Sequence, residues 1–456
     1  MRSLPLLLLP LLPAALPAQS LPPRETVARV ADSLARAFLA NGGSPSVAIG
    51  LVRGRDTLAL GAWGKADLEH RVDAHERTVY RIGSVTKQFT AAAVMQLVEQ
   101  EKVKLDDSIA TYIPGLPAAW RPVTLRQLLN HTSGIPSYTG TGPRWQRLWG
   151  MEMPPESLLA MTAQDSMWFA PGTSWRYDNT GYVLLGMLIA RVSGRAWGED
   201  LEERFIRPLG LTRTYNCTAE AVIPDRARGY ERRGEGWVNA PYLAMSHPYA
   251  AGAMCSTVGD MVRWNRALHT GGVVSAASYR AMTTPEGAAL ERKYGYGLGR
   301  ATIGERAVIE HGGGIHGFIT GNAWVPDAEL SVTVLTNSGS ARADDLMRQL
   351  ARAALGIPLE QPPKVVPLAA ADRGRYVGVY ALELPGGARD FTIAEGPEGL
   401  TAQLAGQGAA PMLHYGDHTF GASFDPSLRL IFTVEDGKAT KVTLQQGGGR
   451  FEGKRK

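Results

Sequence analysis

The chain has 456 residues, of which 44% are hydrophobic and 20% are charged. This length and composition allow substantial buried cores and exclude a single average-sized domain. The net charge of +5 is small for this length, and no basic run with interleaved aromatic residues is present. We therefore expect no nucleic-acid partner.

Residues 1–18 have the features of a secretory signal. Arg2 follows the initial methionine, a short run rich in leucine and proline comes next, and small residues end the run at Ala18. We therefore expect cleavage after Ala18 and a secreted or periplasmic protein. No later stretch approaches eighteen continuous apolar residues, so the sequence predicts no transmembrane segment.

The elements that follow predict strands near both ends of one domain. Residues 25–39 have helical periodicity, and residues 46–52 followed by 57–63 predict a pair of strands. The middle is mainly helix and loop. Short alternating strands return between residues 294 and 336, and residues 344–355 predict a closing helix. Early and late strands around a helical insertion favour one antiparallel sheet built from both ends.

Ser84 and Lys87 lie at the predicted start of a helix. Residues 84–98 carry apolar side chains at helical spacing, so Ser84 is at or near the helix N-terminus, where the dipole favours negative charge on its oxygen. Residues three apart share a helix face, so the Lys87 amine can reach Ser84. A Ser-x-x-Lys match alone is weak, and a capping serine beside a solvated lysine is the alternative.

Two later motifs favour a catalytic role for Ser84 and Lys87 over the capping alternative. Tyr177 and Asn179 bracket an aspartate, and residues 311–313 read His-Gly-Gly. A serine nucleophile needs a base at neutral pH. Lys87 fits if burial lowers its pKa, and Tyr177 fits if neighbouring cations lower the pKa of its phenol. The sequence leaves the choice between these two bases open.

In order and separation, these motifs resemble the serine β-lactamase-like family, which includes class C β-lactamases, D-alanyl-D-alanine carboxypeptidases and related esterases. The resemblance covers about residues 21–358 and extends to the flanking segments at 80–84, 128–134 and 171–177. It implies an α/β (α+β) domain in which helices flank an antiparallel sheet. We expect this hydrolase domain to span residues 19–357.

The resemblance also implies roles for individual residues. Ser84 would be the acylated nucleophile, Lys87 its amine partner and Tyr177 the general base or acid. Asn179 would donate a hydrogen bond to a substrate amide. The backbone N–H groups of Ser84 and Gly314 would form the oxyanion hole, whose donors are often worth about 2.7 to 4 kcal/mol each.

The third motif departs from the pattern of many β-lactamases. His311 stands where they carry lysine, and its charge near neutral pH is expected to be partial. Gly312 replaces a hydroxyl residue, which removes a partner for a substrate carboxylate. With Gly313, His311 would still form a substrate-binding edge. Both changes favour an ester or peptide hydrolase over an efficient β-lactamase.

Competing motifs are weaker. Residues 312–317 match the glycine spacing of a dinucleotide fingerprint, but that motif needs a following helix and residues 318–325 predict a strand. No His-Glu-x-x-His helix or paired-cysteine motif indicates zinc. We therefore expect no metal or cofactor. His131 and His316 are predicted to be structural or to line a pocket.

Cys217 and Cys255 are the two cysteines of the chain. In an oxidising compartment they could form one disulfide, and two unpaired buried thiols are the alternative. By the family resemblance, residues 246–255 lie near the pocket, so a bridge there would support the site.

A proline-rich linker is predicted at residues 358–372, before a second domain at 373–456. Short predicted strands separated by glycine and aspartate turns follow at residues 374–380, 400–404, 428–434 and 440–444. They predict a small antiparallel barrel or sandwich. This part resembles the lipocalin-like C-terminal domain attached to several such hydrolases. Ligand binding, cover for the active site and packing alone all stay open as its role.

Our leading hypothesis is an exported serine hydrolase that acts through acyl-Ser84 on a D-amino-acid peptide, a small ester or a β-lactam amide. The alternative is a non-catalytic binding or regulatory protein that retains the pocket. A third hypothesis is peptidoglycan binding by the C-terminal domain, which would associate the protein with the cell wall.

Overall fold

The computed structural model describes residues 21–361, 363–384, 387–396, 399–422, 425–446 and 449–456. The predicted signal at residues 1–18 lies outside them. The chain divides into two compact units between Leu359 and Glu360, here called the hydrolase unit and the barrel unit. Among the described residues, no helix is both long and apolar enough to cross a membrane.

The α-helices of the described chain are α1 (Arg24–Ala40), α2 (Thr86–Glu99), α3 (Leu125–Leu129), α4 (Pro143–Gln146), α5 (Pro155–Thr162), α6 (Thr180–Ser193), α7 (Trp197–Leu201), α8 (Tyr249–Gly252), α9 (Val258–His269), α10 (Ala276–Thr283), α11 (Ala343–Leu355) and α12 (Ala370–Arg373). Short 3-10 turns occupy Gly83–Val85, Ile109–Thr111, Ala118–Trp120, Tyr138–Gly140, Gly287–Ala289 and Pro326–Ala328, and a π-helical turn occupies Glu202–Ile206. The strands are β1 (Ser46–Arg53), β2 (Asp56–Asp67), β3 (Val72–Asp73), β4 (Tyr80–Arg81), β5 (Tyr215–Asn216), β6 (Tyr230–Arg233), β7 (Gly236–Asn239), β8 (Met254–Ser256), β9 (Gly299–Ile303), β10 (Arg306–Glu310), β11 (Gly313–Ile315), β12 (Phe318–Val325), β13 (Leu330–Thr336), β14 (Gly378–Leu384), β15 (Gly387–Gly396), β16 (Gly399–Leu404), β17 (Ala410–Gly416), β18 (Thr419–Ala422), β19 (Asp425–Glu435), β20 (Lys438–Gln446) and β21 (Gly449–Arg455).

One antiparallel sheet organises the hydrolase unit. Its strand order is β3-β2-β1-β13-β12-β10-β9, and β11 also pairs with β12. At its centre the early strand β1 pairs with the late strand β13, with Ile49 opposite Val334. Every residue of β13 is buried, because helices cover both faces of the sheet. The predicted sheet from both ends of the domain is confirmed.

Helical periodicity explains how the sheet is covered. Helix α1 buries Val27, Ala31 and Ala35 at a spacing of four residues, which places them on one stripe. Together with α11, this stripe packs on the sheet face that carries Val332 and Val334. The opposite face carries the larger core that contains α2 and α9. Both predicted terminal helices of the domain are present.

A small sheet of order β4-β8-β5 leads into the nucleophile segment. Cys217 and Cys255 form a disulfide in this region, with their Cα atoms 5.5 Å apart. Cys255 belongs to β8 and lies opposite Arg81 on β4, three residues before Ser84. The choice that the sequence left open therefore resolves to a bridge one strand away from the nucleophile segment.

The barrel unit is a closed antiparallel barrel of β14 to β21. Its core packs aromatic rings edge to face, with Phe432 5.2 Å from Tyr376 and 5.5 Å from Phe420 between ring centres. The predicted antiparallel barrel is confirmed. Its first strand begins at Gly378, later than predicted, because the backbone N–H of Tyr376 closes a turn onto the Arg373 carbonyl oxygen.

Candidate active site

Ser84 lies in the 3-10 turn between β4 and α2, half-buried at the start of the helix. The Lys87 side chain is fully buried one turn later, and its Nζ lies 3.2 Å from Ser84 Oγ. Lys87 Nζ also donates to Asn179 Oδ1 and to the Ala251 carbonyl oxygen, both at 2.8 Å. The predicted nucleophile and amine are therefore in direct contact.

Burial decides the protonation of Lys87. Desolvation lowers the pKa of its amine to about 7, and the buried Asp178 carboxylate acts in the opposite direction. The Tyr177 and Tyr182 ring centres lie 4.8 and 5.3 Å from Nζ. Near neutral pH a large fraction of Lys87 is therefore a neutral amine that can accept a proton from Ser84.

Tyr177 is buried against the same amine. Its Oη has no hydrogen-bond partner among the described residues. Burial raises the pKa of the Tyr177 phenol above its usual value, and the Ser84 hydroxyl only partly offsets this, although the two hydroxyls do not meet at hydrogen-bond geometry. The prediction that neighbouring cations lower this pKa is wrong, because desolvation dominates, the Asp178 carboxylate also raises the pKa, and the neutral phenol is favoured.

Asn179 joins Lys87 to a neighbouring loop. It occupies the residue before α6, and its Oδ1 accepts from Lys87. Its Nδ2 donates to Thr139 Oγ1 at 3.3 Å, and its backbone N–H donates to Ser137 Oγ at 3.1 Å. No spacing pattern in the sequence indicated Ser137 or Thr139. Both hold Asn179 in place beside the amine.

His311 is buried and neutral. Its Nδ1 donates to the Gly312 carbonyl oxygen at 2.6 Å, and its Nε2 accepts from Tyr294 Oη at 2.8 Å, which assigns the Nδ1–H tautomer. Burial, reinforced by Lys87, lowers the His311 pKa to about 3. The expected partial charge is therefore wrong, and His311 does not supply a cation at pH 7. Tyr294 was not found from the sequence.

Glycines bring β11 against the nucleophile turn. Gly83 has a φ of +52°, and a Cβ added there would lie 2.9 Å from the Gly314 nitrogen. A Cβ on Gly313 would lie 2.0 Å from the Ile82 carbonyl oxygen and 3.3 Å from the Ser84 nitrogen. Only glycine permits this approach. The Ser84 and Gly314 amides are thus neighbours, as an oxyanion hole requires, and Gly314 is exposed.

A second buried pair stands behind Tyr177. His131 Nδ1 lies 3.4 Å from Asp178 Oδ2, and the His131 ring centre is 4.2 Å from that of Tyr177. Burial lowers the His131 pKa. His131 Nε2 has no partner within the described part of the chain, and no hydrogen bond there joins His131 to Ser84. The pair therefore supports the pocket wall and does not form a Ser-His-Asp triad.

The family model named Beta-lactamase matches residues 31–357. The chain is 27% identical over 378 residues to a D-aminopeptidase of Gluconobacter oxydans (strain 621H), an alignment that covers 80% of this chain and 70% of that protein.

Solved structures give the same assignment. A D-stereospecific amidohydrolase from Streptomyces sp. is 31% identical with a TM-score of 0.63, over 72% of this chain and 98% of that one. An octameric penicillin-binding protein homologue from Pyrococcus abyssi is 25% identical with a TM-score of 0.68, over 93% and 99%. Because the family model spans most of the sequence and these matches agree with it, the chain belongs to the beta-lactamase family.

Proposed function

We propose that this chain is an exported serine hydrolase that forms an acyl-enzyme at Ser84 and hydrolyses amides, peptides or esters of D-amino acids. The observation that carries the proposal is the buried Lys87 amine, 3.2 Å from Ser84 Oγ and with a pKa lowered to about 7. Similarity to a D-aminopeptidase and a D-stereospecific amidohydrolase supports a hydrolase role and this substrate class.

Of the two candidate bases, the geometry supports Lys87. As Ser84 Oγ attacks the substrate carbonyl carbon, its proton passes to the neutral Lys87 amine. The developing negative charge on the carbonyl oxygen meets the amides of Ser84 and Gly314. Asn179 and Ala251 accept the remaining Lys87 protons, which keeps the amine aimed at the hydroxyl.

Tyr177 then serves as an acid. The raised pKa keeps its phenol protonated, so it can donate toward the leaving atom when the tetrahedral intermediate breaks the bond to that atom. The Ser84 proton held on Lys87 then passes to Tyr177, so the leaving group departs with one proton and the phenol is restored. Water next attacks the acyl carbon, gives its proton to Lys87, and Ser84 leaves with a proton to regenerate the enzyme.

The first test is the intact mass of wild type and Ser84→Ala after exposure to a fluorophosphonate, a penicillin and a D-Ala-D-Ala thioester. We expect adducts on wild type alone. Hydrolysis of D-alanyl-p-nitroanilide is compared in parallel with that of its L isomer, and the D isomer should be faster. Folded wild type that forms no adduct with any probe would favour the non-catalytic binding protein.

Export is a separate proposal. The signal features of residues 1–18 support it, and the mass of the mature protein from a secreting host tests it. We expect a chain that begins at Gln19. A full-length chain retained inside the cell would contradict the proposal without touching the chemistry at Ser84.

A further inference from the structure

A second polar pocket of about 300 Å³ lies at the tip of the β11–β12 hairpin. Its lining includes Arg81, Arg226 and Arg228, together with His316. These three arginines have no role in the acyl chemistry proposed at Ser84. The pocket therefore brings together a concentration of positive charge that the reaction at Ser84 leaves unexplained.

Within the described part of the chain, the three arginines form no salt bridge with a carboxylate. Arg226 and Arg228 are exposed. Arg81 is half-buried, with its guanidinium carbon 5.8 Å from the centre of the Phe318 ring. Burial and the nearby Arg226 lower the Arg81 pKa to about 10, so it stays charged at neutral pH.

Two carboxylates near the pocket are engaged elsewhere. Glu69 accepts from Tyr230 Oη and from Asn239 Nδ2, both at 2.7 Å, although its charge still reaches Arg228 at longer range. Glu231 accepts from the Gly317 backbone N–H at 3.1 Å. Each carboxylate accepts hydrogen bonds from donors other than the arginines, so the three guanidinium groups remain available to an anion.

The pocket and the reaction centre adjoin opposite ends of β11. The His311 ring, just before β11, is 6.2 Å from the ring of Tyr177, the proposed donor to the leaving group. From there the chain passes Gly314 and reaches His316 at the pocket. Because Tyr177 lies near His311 before β11 and the pocket lies after β11, the acyl portion of a substrate bound at Gly314 would extend toward the arginines.

We propose that Arg81, Arg226 and Arg228 form a subsite for a carboxylate on the acyl portion of the substrate. The proposal rests on the proposed acyl chemistry at Ser84. His316 is two positions after Gly314, in the turn that follows β11, a span of roughly 7 Å at the rise of extended chain, which a succinyl group on a D-alanyl unit can cover. Guanidinium groups suit a planar carboxylate and repel a free substrate ammonium. The subsite thus favours acyl groups that end in a carboxylate over neutral acyl groups of the same length.

Binding is measured first, without turnover. Full-length Ser84→Ala protein is titrated by calorimetry with N-succinyl-D-alaninamide and with N-succinamoyl-D-alaninamide, which differ only by carboxylate against carboxamide. We expect the acidic compound to bind about tenfold more tightly or better, the usual size of a hydrogen-bonded charge contact. Equal affinities would overturn the proposal.

Substitution of the exposed arginines locates the effect. Arg226→Gln with Arg228→Gln on the same background should remove the preference and leave affinity for the neutral compound within about twofold. Arg233→Gln, an exposed arginine of β6 outside the pocket lining, is the matched control and should retain the preference. An equal loss for both compounds, or the same loss in the control, would contradict a specific subsite.

Turnover separates this proposal from the proposed function. The p-nitroanilides of the same two acyl groups are compared in wild type and in the Arg226→Gln, Arg228→Gln protein, and kcat/KM should show the same tenfold preference and its loss. Acylation of Ser84 with no preference in either assay would refute the subsite alone. If no compound acylates Ser84, the proposed function fails, and the calorimetric comparison still decides whether the pocket binds a carboxylate.

Discussion

The two units of this chain bury different kinds of side chain. The hydrolase unit encloses Lys87, His131, Asp178 and His311, all less than one-tenth exposed. Among the described residues of the barrel unit, Thr443 is the buried polar side chain, and the core is otherwise aliphatic and aromatic. Burying ionisable groups is unfavourable unless they are paired. The difference teaches where chemistry is expected, because a core that only packs has no need of such groups.

The energetic cost can be read from Lys87. Its pKa falls from 10.5 to about 7, and each unit is worth about 1.4 kcal/mol, so keeping it charged in the fold costs on the order of 5 kcal/mol. The unfolded chain binds the proton up to pH 10.5 and the folded chain only to about 7. The cost is therefore complete below pH 7 and disappears as pH rises toward 10.5.

The largest effect is expected at the nucleophile. Ser84→Ala should lower kcat/KM by about 10⁴-fold or more, because the acyl intermediate cannot form. Stopped assays on a D-alanyl ester and the fluorophosphonate adduct measure the loss. Thermal unfolding of the variant should match wild type. Substantial hydrolysis by purified Ser84→Ala would show that the activity of the hydrolase unit does not depend on Ser84.

In the barrel unit, substitution of a core residue should change stability and not activity. Phe432→Ala removes a buried ring and should lower the free energy of unfolding of the barrel by about 3 to 5 kcal/mol. Ile431→Ala, on the exposed face of the same strand, should cost about 1 kcal/mol or less.

Spectroscopy can follow each unit by itself. All ten tryptophans precede residue 360, so tryptophan fluorescence follows the hydrolase unit and circular dichroism follows both. Phe432→Ala should shift the circular dichroism transition and leave the fluorescence transition and turnover unchanged. A joint shift of both transitions would show that the two cores do not unfold independently.

Tyr177→Phe should produce an intermediate effect. Loss of one proton donor in the transition state lowers rates by about 10²-fold, and the ring that packs on His131 is retained. Single-turnover kinetics should show slower release of the leaving group, with fluorophosphonate still labelling Ser84. A loss as large as that of Ser84→Ala would instead identify Tyr177 as the base.

The smallest effect concerns pH. Because Lys87 must be neutral to accept a proton and its pKa is about 7, kcat/KM should fall about tenfold per pH unit below pH 7 and level off above it. His311, with a pKa lowered to about 3, should add no step in this range. The Tyr177→Phe variant should show the same fall of kcat/KM below pH 7. A profile that is flat from pH 5.5 to 8 would rule out Lys87 as the base.

The spacing of apolar residues within short segments was enough to predict much of the fold. The four-residue spacing of Val27, Ala31 and Ala35 and the buried run of β13 are properties of short segments, so the sequence predicted a helix and a sheet strand there. The dinucleotide motif was rejected because a strand was predicted after its glycines, and the structure has strand β12 there and no helix. The strand predicted at residues 374–380 was less accurate, because a turn at Tyr376 precedes it and the strand begins only at Gly378.

The order of residues specifies which side chains are available: a serine with an amine three residues on, a tyrosine two residues before an asparagine, and a run of glycines. The charge states and surroundings of these side chains depend on the folded chain. Lys87 is a candidate base because Asn179 and Ala251, far along the chain, enclose it. His311 is neutral because Tyr294 meets it in a buried site. Desolvation depends on such distant contacts, which periodicity and spacing do not encode.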